Sequence, residues 1–192
     1  MAVKGQVARL DTQGGQLTWT PATPSSENVV LIDTDVYLVG SDEAPTTVTT
    51  GVQTEVYLKN LLNASSEVTN SVLCAHVYEG SANAWVDLDG VAITNQTWVK
   101  LRIEINYGGT DPMVTFWVND IRMEKVGSST ASFRVMDATK TAVSSVSFMG
   151  TGYIDNFIGW QVKAPAVEEG WNGGATNGTH YAVSGNTMTV SF

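Results

Sequence analysis

The sequence contains few of the residues from which covalent cross-links and metal sites are built, with one cysteine and two histidines among 192 residues. A single cysteine cannot form an internal disulfide or supply a cysteine-based zinc site. His76 and His180 do not by themselves make a multi-histidine metal site. Cys74 lies in the apolar run of residues 72–75, and we expect a buried side chain that packs as a small hydrophobe.

Charged residues are also scarce, at 15% of the chain against about 25% in ordinary globular proteins. Ten basic residues face nineteen acidic ones, which leaves a formal net charge of −9. Without a basic excess, we expect no nucleic-acid partner and no attraction to an anionic membrane surface. No apolar run approaches the ~20 residues that span a bilayer, so we expect no membrane insertion.

Composition also bears on where the protein works. Residues 1–5 are not followed by the apolar segment of a signal peptide. The low charge and the abundance of Thr, Ser, Asn and Gly nevertheless favour a β-rich surface of the extracellular type. We therefore expect an extracellular or cell-surface location, with a leader that is not part of this sequence.

Helical periodicity is almost absent, and apolar residues instead recur at every second position. The best helical candidate, residues 58–66, runs into Asn and Ser, which indicates the end of a strand followed by a turn. Strands are predicted at residues 29–32, 36–39, 52–59, 71–78, 84–88, 98–107, 114–118, 121–125, 132–136, 143–148 and 154–162.

Turn-forming residues separate these runs where hairpins need them, and the pair Asn119-Asp120 is the sharpest signal. Many short strands without helices between them indicate an all-β antiparallel sandwich or barrel. The length predicts one domain. The predicted division is a segment, residues 1–26, that packs on the sheets through Val7, Leu10, Leu17 and Trp19, then the sheets at residues 27–163, then a linker and β-hairpin at residues 164–192.

Three motifs carry a family resemblance: TWVKLRIEI at residues 97–105, VTFWVND at 114–120 and VSFMGTGYIDNF at 146–157. Their order and spacing resemble the laminin-G-like, concanavalin A-like lectin and glucanase superfamily over residues 27–163. Asp120 stands where that family often has glycine. The resemblance implies an antiparallel two-sheet jelly-roll β-sandwich with one concave sheet and an extracellular sugar- or protein-binding function. Catalysis does not follow from it.

The same resemblance implies a structural calcium ion. In relatives, the aspartate of the closing strand often helps to hold Ca²⁺, which prefers hard oxygen ligands. The matching position is Asp155, and Asp33 or Asp35 is expected nearby. The alternative is that Asp155 accepts hydrogen bonds from a turn backbone, and Asn156 replaces the acidic residue that commonly follows.

Catalytic patterns are missing from the sequence. Glucanases of this superfamily typically carry a Glu-x-Asp-x-x-Glu string, which does not occur, and there is no Gly-x-Ser-x-Gly elbow. Asp87 and Asp89 are the best carboxylate pair, and their position before Gly90 favours solvated turn residues. We therefore expect a protein that is not an enzyme.

A binding surface is better supported. If Val99, Leu101, Ile103 and Ile105 face the core, their alternate neighbours face away from it, and the same parity applies to the strands beside them. Outward aromatic rings flanked by polar groups suit pyranose rings, which stack on aromatic faces while their hydroxyls take hydrogen bonds. The sequence therefore predicts a recognition module that binds polysaccharide on the concave sheet. The predicted carbohydrate-binding residues are Tyr57, His76, Tyr78, Trp98, Arg102, Glu104, Trp117 and Asn119.

The last residues of the sequence suggest a second hypothesis. Residues 188–192 alternate apolar and polar side chains, as a half-buried strand does. This strand pairs either within its own domain or with a neighbouring copy, in which case the protein is a structural subunit of an extracellular fibre or adhesin. The residues predicted to carry assembly are Tyr181, Val183, Met188, Val190 and Phe192.

Overall fold

The computed structural model describes residues 8–10, 16–21, 28–45, 51–162, 181–182 and 189–190. Every regular element in these ranges is a β-strand, and no helix long and apolar enough to cross a membrane occurs in them. The strands are β1 (Ala8–Leu10), β2 (Gln16–Trp19), β3 (Val29–Leu38), β4 (Glu55–Leu62), β5 (Val68–Glu79), β6 (Ala82–Asp89), β7 (Thr97–Asn106), β8 (Met113–Val118), β9 (Ile121–Arg122), β10 (Glu124–Lys125), β11 (Ser132–Arg134), β12 (Val146–Met149), β13 (Gly152–Val162), β14 (Tyr181–Ala182) and β15 (Thr189–Val190).

Eleven strands form one large antiparallel sheet in the order β1-β13-β3-β7-β8-β11-β5-β6-β10, with β4 paired to β5 and β9 paired to β8. The strands β2 and β12 form a separate pair, and so do β14 and β15. The all-β, antiparallel prediction is therefore confirmed. The topology is compatible with the predicted two-sheet sandwich.

The core is built from alternate residues of the central strands. Val99, Leu101 and Ile105 of β7 are at most 6% exposed, and Phe116 and Val118 of β8 are fully buried. They belong to one hydrophobic cluster with inward residues of β5 and β6. The predicted alternation of inward and outward residues in β7 and β8 is thus confirmed. This alternation determines which side chains point away from the core.

One predicted boundary is wrong. The sequence predicts two strands on either side of residues 33–35, but β3 runs through them without a break. Asp33 and Asp35 lie on the outward face, whereas Thr34 is buried and its hydroxyl donates to the Asp155 carbonyl at 3.2 Å. The polar residues interrupt the apolar pattern without turning the chain, since they alternate between the two faces as strand residues do.

Two local backbone irregularities lie at the end of β8 and within β13. Asn119 and Asp120 both have positive φ, 51° and 64°, and form the two-residue turn that the sequence predicts between β8 and β9. Between Asp155 and Ile158 the pairing of β13 with β3 shifts register, so that Asn156 and Phe157 together oppose one residue. Asn156 has a φ of 49°, in the left-handed region that asparagine tolerates.

The described residues of the amino-terminal segment pair with other strands. The strand β1 pairs with β13, and β2 pairs with β12. The Trp19 ring lies 5.4 Å from that of Phe157 and covers Gly159, where an added β-carbon would stand 2.7 Å from the indole. Leu10 packs against the core, Leu17 is 43% exposed, and Val7 lies outside the described residues.

At the carboxyl end, the described residues are the four of β14 and β15, in which Tyr181 pairs with Val190 and Ala182 with Thr189. This pairing joins two strands of the same chain. The other predicted assembly residues, Val183, Met188 and Phe192, lie outside the described residues.

The core assignment can be tested at Phe116, whose ring is fully buried and lies 6.2 Å from that of Phe133. Phe116→Ala should lower the free energy of unfolding by about 3–5 kcal/mol, because it removes buried apolar surface and leaves a cavity. The matched control is Thr115→Ala, one residue earlier on the outward face, which should cost less than about 1 kcal/mol. Denaturant unfolding measures both, and equal losses would place the core elsewhere.

Candidate functional site

The outward side chains of β13, β3 and β7 stand in rows across the sheet because these strands pair in register. The first row is aromatic: Tyr153 pairs with Tyr37, and Tyr37 pairs with Trp98. The ring centroids are 5.4 Å apart for Tyr37 and Tyr153 and 5.8 Å apart for Tyr37 and Trp98, both edge to face. Trp98 is 45% exposed at the end of the row. The row therefore presents an indole to solvent, held from one side by a tyrosine.

The second row is polar and lines a pocket. Asp155 pairs with Asp35, and Asp35 pairs with Lys100. These three residues, together with Trp98, Val99 and Asn119, surround an open pocket of about 340 Å³. That volume lies at the lower end of the ~300–1,000 Å³ typical of ligand sites. An exposed aromatic ring, an amide and carboxylates thus meet at one place on the surface.

The turn between β8 and β9 closes one side of the pocket. The Asn119 side chain accepts a hydrogen bond from the Lys100 backbone N–H at 3.0 Å, and the Asn119 N–H donates to the Lys100 carbonyl at 2.8 Å. Its amide is thus fixed by the sheet beside it. Such preorganisation lowers the entropy lost when a ligand binds.

Two cations of β7 on this face are engaged in ion pairs. Lys100 Nζ lies 2.7 Å from Asp120 Oδ1. Arg102 donates to both carboxylate oxygens of Asp33, at 2.6 Å from Nε and 3.0 Å from Nη2. This bidentate hydrogen bond raises the pKa of Arg102 above its ordinary value, against the effect of burial. Arg102 and Asp33 therefore hold each other, and Asp33 is occupied in a structural pair.

Asp35 and Asp155 are the carboxylates best placed for a cation. They sit opposite each other on β3 and β13, and Asn156 touches both: its Nδ2 donates to Asp35 Oδ2 at 2.7 Å and its N–H to Asp155 Oδ1 at 2.8 Å. The second contact is a hydrogen bond from a turn backbone, which the sequence offers as the alternative to a calcium ligand at Asp155. No group of three or more potential metal ligands occurs among the described residues. The predicted calcium ion stays a prediction.

The next two rows continue along β7 and β8. Arg102 pairs with Trp117, which pairs in turn with Arg122, and Glu104 pairs with Thr115. Trp117 is half-buried. Burial raises the pKa of Glu104 above its ordinary value, and the charge of Arg102 partly opposes the rise. The structure therefore brings Trp98, Arg102, Glu104, Trp117 and Asn119 to one face, as the parity of the sequence predicts.

The other three predicted binding residues lie on β4 and β5, away from this pocket. His76 is only 6% exposed, with its ring stacked 4.5 Å from that of Trp85 and its Nδ1 3.2 Å from Glu55 Oε2. Tyr57 packs edge to face on the same indole, at 4.8 Å. Tyr78 lies under the Arg134 guanidinium, 4.5 Å from its ring centroid. The eight predicted residues therefore do not form one surface, because sequence parity assigns a face without saying which strands are neighbours.

Cys74 is fully buried, as predicted, but its environment is polar. Its thiol donates to Asp87 Oδ1 at 2.9 Å, and Lys59 Nζ lies 2.9 Å from Asp87 Oδ2. The expectation of a small hydrophobe in the core is corrected, since Cys74 shares its face with Tyr57 and Asp87. Burial, with a smaller contribution from Asp87, raises the pKa of the thiol to about 12. Asp87 therefore lies within β6, where it pairs with Lys59, and the prediction of a solvated turn residue is wrong for it.

Sequence reasoning missed Tyr37 and Tyr153 as members of the outward aromatic row. Both alternate correctly with apolar neighbours, so parity alone assigns them to an outward face. The sequence does not reveal the strand order β13-β3-β7, which joins segments more than 50 residues apart.

In comparisons with known proteins, no family model matches the chain and no curated protein matches it.

The environment of Cys74 predicts low thiol reactivity. A neutral, fully buried thiol is a poor nucleophile, because the thiolate is the reactive form. At about pH 8, an aromatic disulfide reagent should label the folded protein at least 100-fold more slowly than the protein unfolded in guanidinium. Asp87→Ala is the informative variant, since it opens the polar cover and should speed labelling. Rapid labelling of the folded wild-type chain would contradict the described burial.

Proposed function

We propose that the protein is a non-catalytic extracellular recognition module that binds polysaccharide through the Trp98 pocket, defined as the pocket lined by Asp35, Trp98, Val99, Lys100, Asn119 and Asp155. The observation that carries this proposal is the 45% exposed indole of Trp98 beside a pocket with amide and carboxylate groups. A sugar ring can stack on the indole while its hydroxyls exchange hydrogen bonds with the polar wall.

The finer fold proposal is a laminin-G-like or concanavalin A-like jelly-roll sandwich. It is supported by the large antiparallel sheet and by the single core cluster that β3, β7 and β8 share with β4, β5 and β6. The extracellular or cell-surface location rests on composition alone. The corresponding cofactor candidate is a structural calcium ion at Asp155 with Asp35, since Asp33 is held by Arg102. Such an ion would compete with any ligand that uses the same two carboxylates.

The proposal excludes catalysis on the basis of the residues that surround the pocket. Asp35 and Asp155 are the two carboxylates of the pocket wall, and each accepts a hydrogen bond from Asn156. Glycoside hydrolysis needs one carboxyl group to be a proton donor to the leaving oxygen. The two aspartates stand directly opposite each other and are tied to one asparagine, and no other carboxyl group among the described residues lines the pocket.

A second candidate function follows from the terminal hairpin. Among the described residues, β14 and β15 pair with each other and with no strand of the large sheet. A two-stranded hairpin is at best marginally stable alone in water, so it needs a further partner. That partner is either the rest of this chain or a neighbouring copy in an assembly built by strand addition.

The binding proposal is tested by Trp98→Ala. The expected result is at least about tenfold weaker polysaccharide binding in a glycan array and in titration, equivalent to about 1.4 kcal/mol. Stability should fall by less than about 1.5 kcal/mol, because nearly half of the side chain is already in solvent. No reducing ends should be released from any polysaccharide that binds.

The matched control is Tyr78→Ala, which removes an aromatic side chain from β5 and leaves the Trp98 pocket intact. This variant should bind like the wild type. If Tyr78→Ala abolishes binding and Trp98→Ala does not, the binding surface lies on β4 and β5, and the Trp98 pocket is not the site.

The assembly candidate is tested by deleting residues 181–192 and measuring molar mass by light scattering during size-exclusion chromatography. If strand addition builds an assembly, the full chain forms oligomers or filaments and the truncated chain is a folded monomer. If the truncated chain loses its cooperative unfolding transition, the hairpin belongs to its own domain. A monomeric full chain rejects assembly.

A further inference from the structure

The charges around the Trp98 pocket restrict which polysaccharide it can bind, and this inference rests on the binding function proposed above. We infer that the ligand is a glycan with free amino groups, such as a deacetylated 2-amino-2-deoxy sugar polymer. The inference depends on which charges in the pocket wall are already paired within the protein and which are left for a ligand.

The two basic side chains of β7 beside the pocket are each paired with an acidic one. Lys100 binds Asp120 at 2.7 Å, and Arg102 binds both oxygens of Asp33. Arg9 lies at the far end of the aromatic row, with its Cζ 6.0 Å from the Tyr153 ring centroid. The strands β13 and β3 separate it from Trp98 on β7. Arg122, which pairs with Trp117, and Arg9 do not line the pocket. Lys100, the cation of the pocket wall, is therefore already engaged by Asp120.

The carboxylates of Asp35 and Asp155 have no such partner. Within the described residues neither forms an ion pair, and both take hydrogen bonds from neutral donors of Asn156. Like charges directly opposite each other in a sheet repel. A cationic group placed between them would relieve that repulsion, while a neutral hydroxyl would relieve it less.

The aromatic wall favours the same ligand. Trp98 borders the pocket that the two carboxylates line, so one sugar ring can stack on the indole while its ammonium group reaches Asp35 or Asp155. An ammonium group close to an indole face also gains a cation–π attraction. Uronic acids and sulfated sugars would bring negative charge to a pocket with two unpaired carboxylates, on a chain of net charge −9.

The test compares β-1,4-linked oligosaccharides of equal length that differ in one substituent: a hydroxyl, an acetamide, a free amine or a carboxylate. Titration calorimetry is done on the full chain at mildly acidic pH, where a sugar amine is protonated, at low and high salt. We expect the free-amine compound to bind at least tenfold more tightly than the neutral ones and to lose that advantage in salt. The carboxylate compound should not bind.

Two variants assign the effect to the pocket. Asp35→Asn and Asp155→Asn keep the shape and remove one charge each, so each should weaken binding of the amine about tenfold and leave the neutral compounds unchanged. The control is Glu124→Gln, which removes the same charge from exposed β10 at the other end of the sheet order. It should change no affinity.

The outcomes separate this inference from the function on which it rests. If neutral and amine compounds bind equally, and Trp98→Ala weakens both, polysaccharide binding stands and the amine preference is overturned. If none of the compounds binds, the proposed function fails as well. Equal binding of polylysine would show that the carboxylates select basic peptides, and a requirement for added Ca²⁺ would show that they hold a metal. Either result overturns the inference.

Discussion

The register between β3, β7 and β8 is the constraint on which the rest of the molecule depends. Each strand buries alternate residues in one core, and a slip of one residue would move every buried side chain to solvent. Phe116, Val118 and Leu101 together make such a slip costly. Because the inward face holds the register, the outward side chains stand in fixed rows. The candidate site is thus a product of core packing on the opposite face of the same strands.

Pairing of charges gives these rows their chemical character. Ion pairs such as Arg102 with Asp33 connect neighbouring strands and engage the cations of β7 nearest the pocket. The groups that a ligand can still contact are two aspartates, an exposed indole and the fixed amide of Asn119. Acidic residues outnumber basic ones nineteen to ten, so carboxylates remain after the basic residues of β7 have been paired.

Sequence periodicity predicts faces well and neighbours poorly. The outward position of Trp98, Arg102 and Trp117 follows from the alternation of β7 and β8, because these two strands also form a hairpin. The alternation does not predict that Tyr37 and Tyr153 lie beside Trp98, since β13 pairs with β3 across more than 100 residues of chain. For the same reason the predicted surface joined His76 to Trp98.

At two places in the chain, the residues next to each other in sequence are a poor guide to the structure. Asp33 and Asp35 suggested a break in β3, although alternation lets a strand carry them on one face. Cys74 sits among apolar neighbours in sequence, yet its partners in space are Asp87 and Lys59. A residue's sequence neighbours along a strand point to the other face, so they describe the surroundings of the opposite side of the sheet.

The extra residue in β13 contributes to the outward surface of the sheet, although the pairing of β13 with β3 does not require it. Before the irregularity, Tyr153 and Asp155 face outward, and after it Ile158 does, while Phe157 packs toward Trp19. Without Asn156, Phe157 alone would oppose Thr34, and both halves of β13 would keep their partners and their faces. What the strand would lose is the side-chain amide that binds the Asp35 carboxylate. A change of one residue in length would thus alter the candidate site and leave the sheet paired as it is.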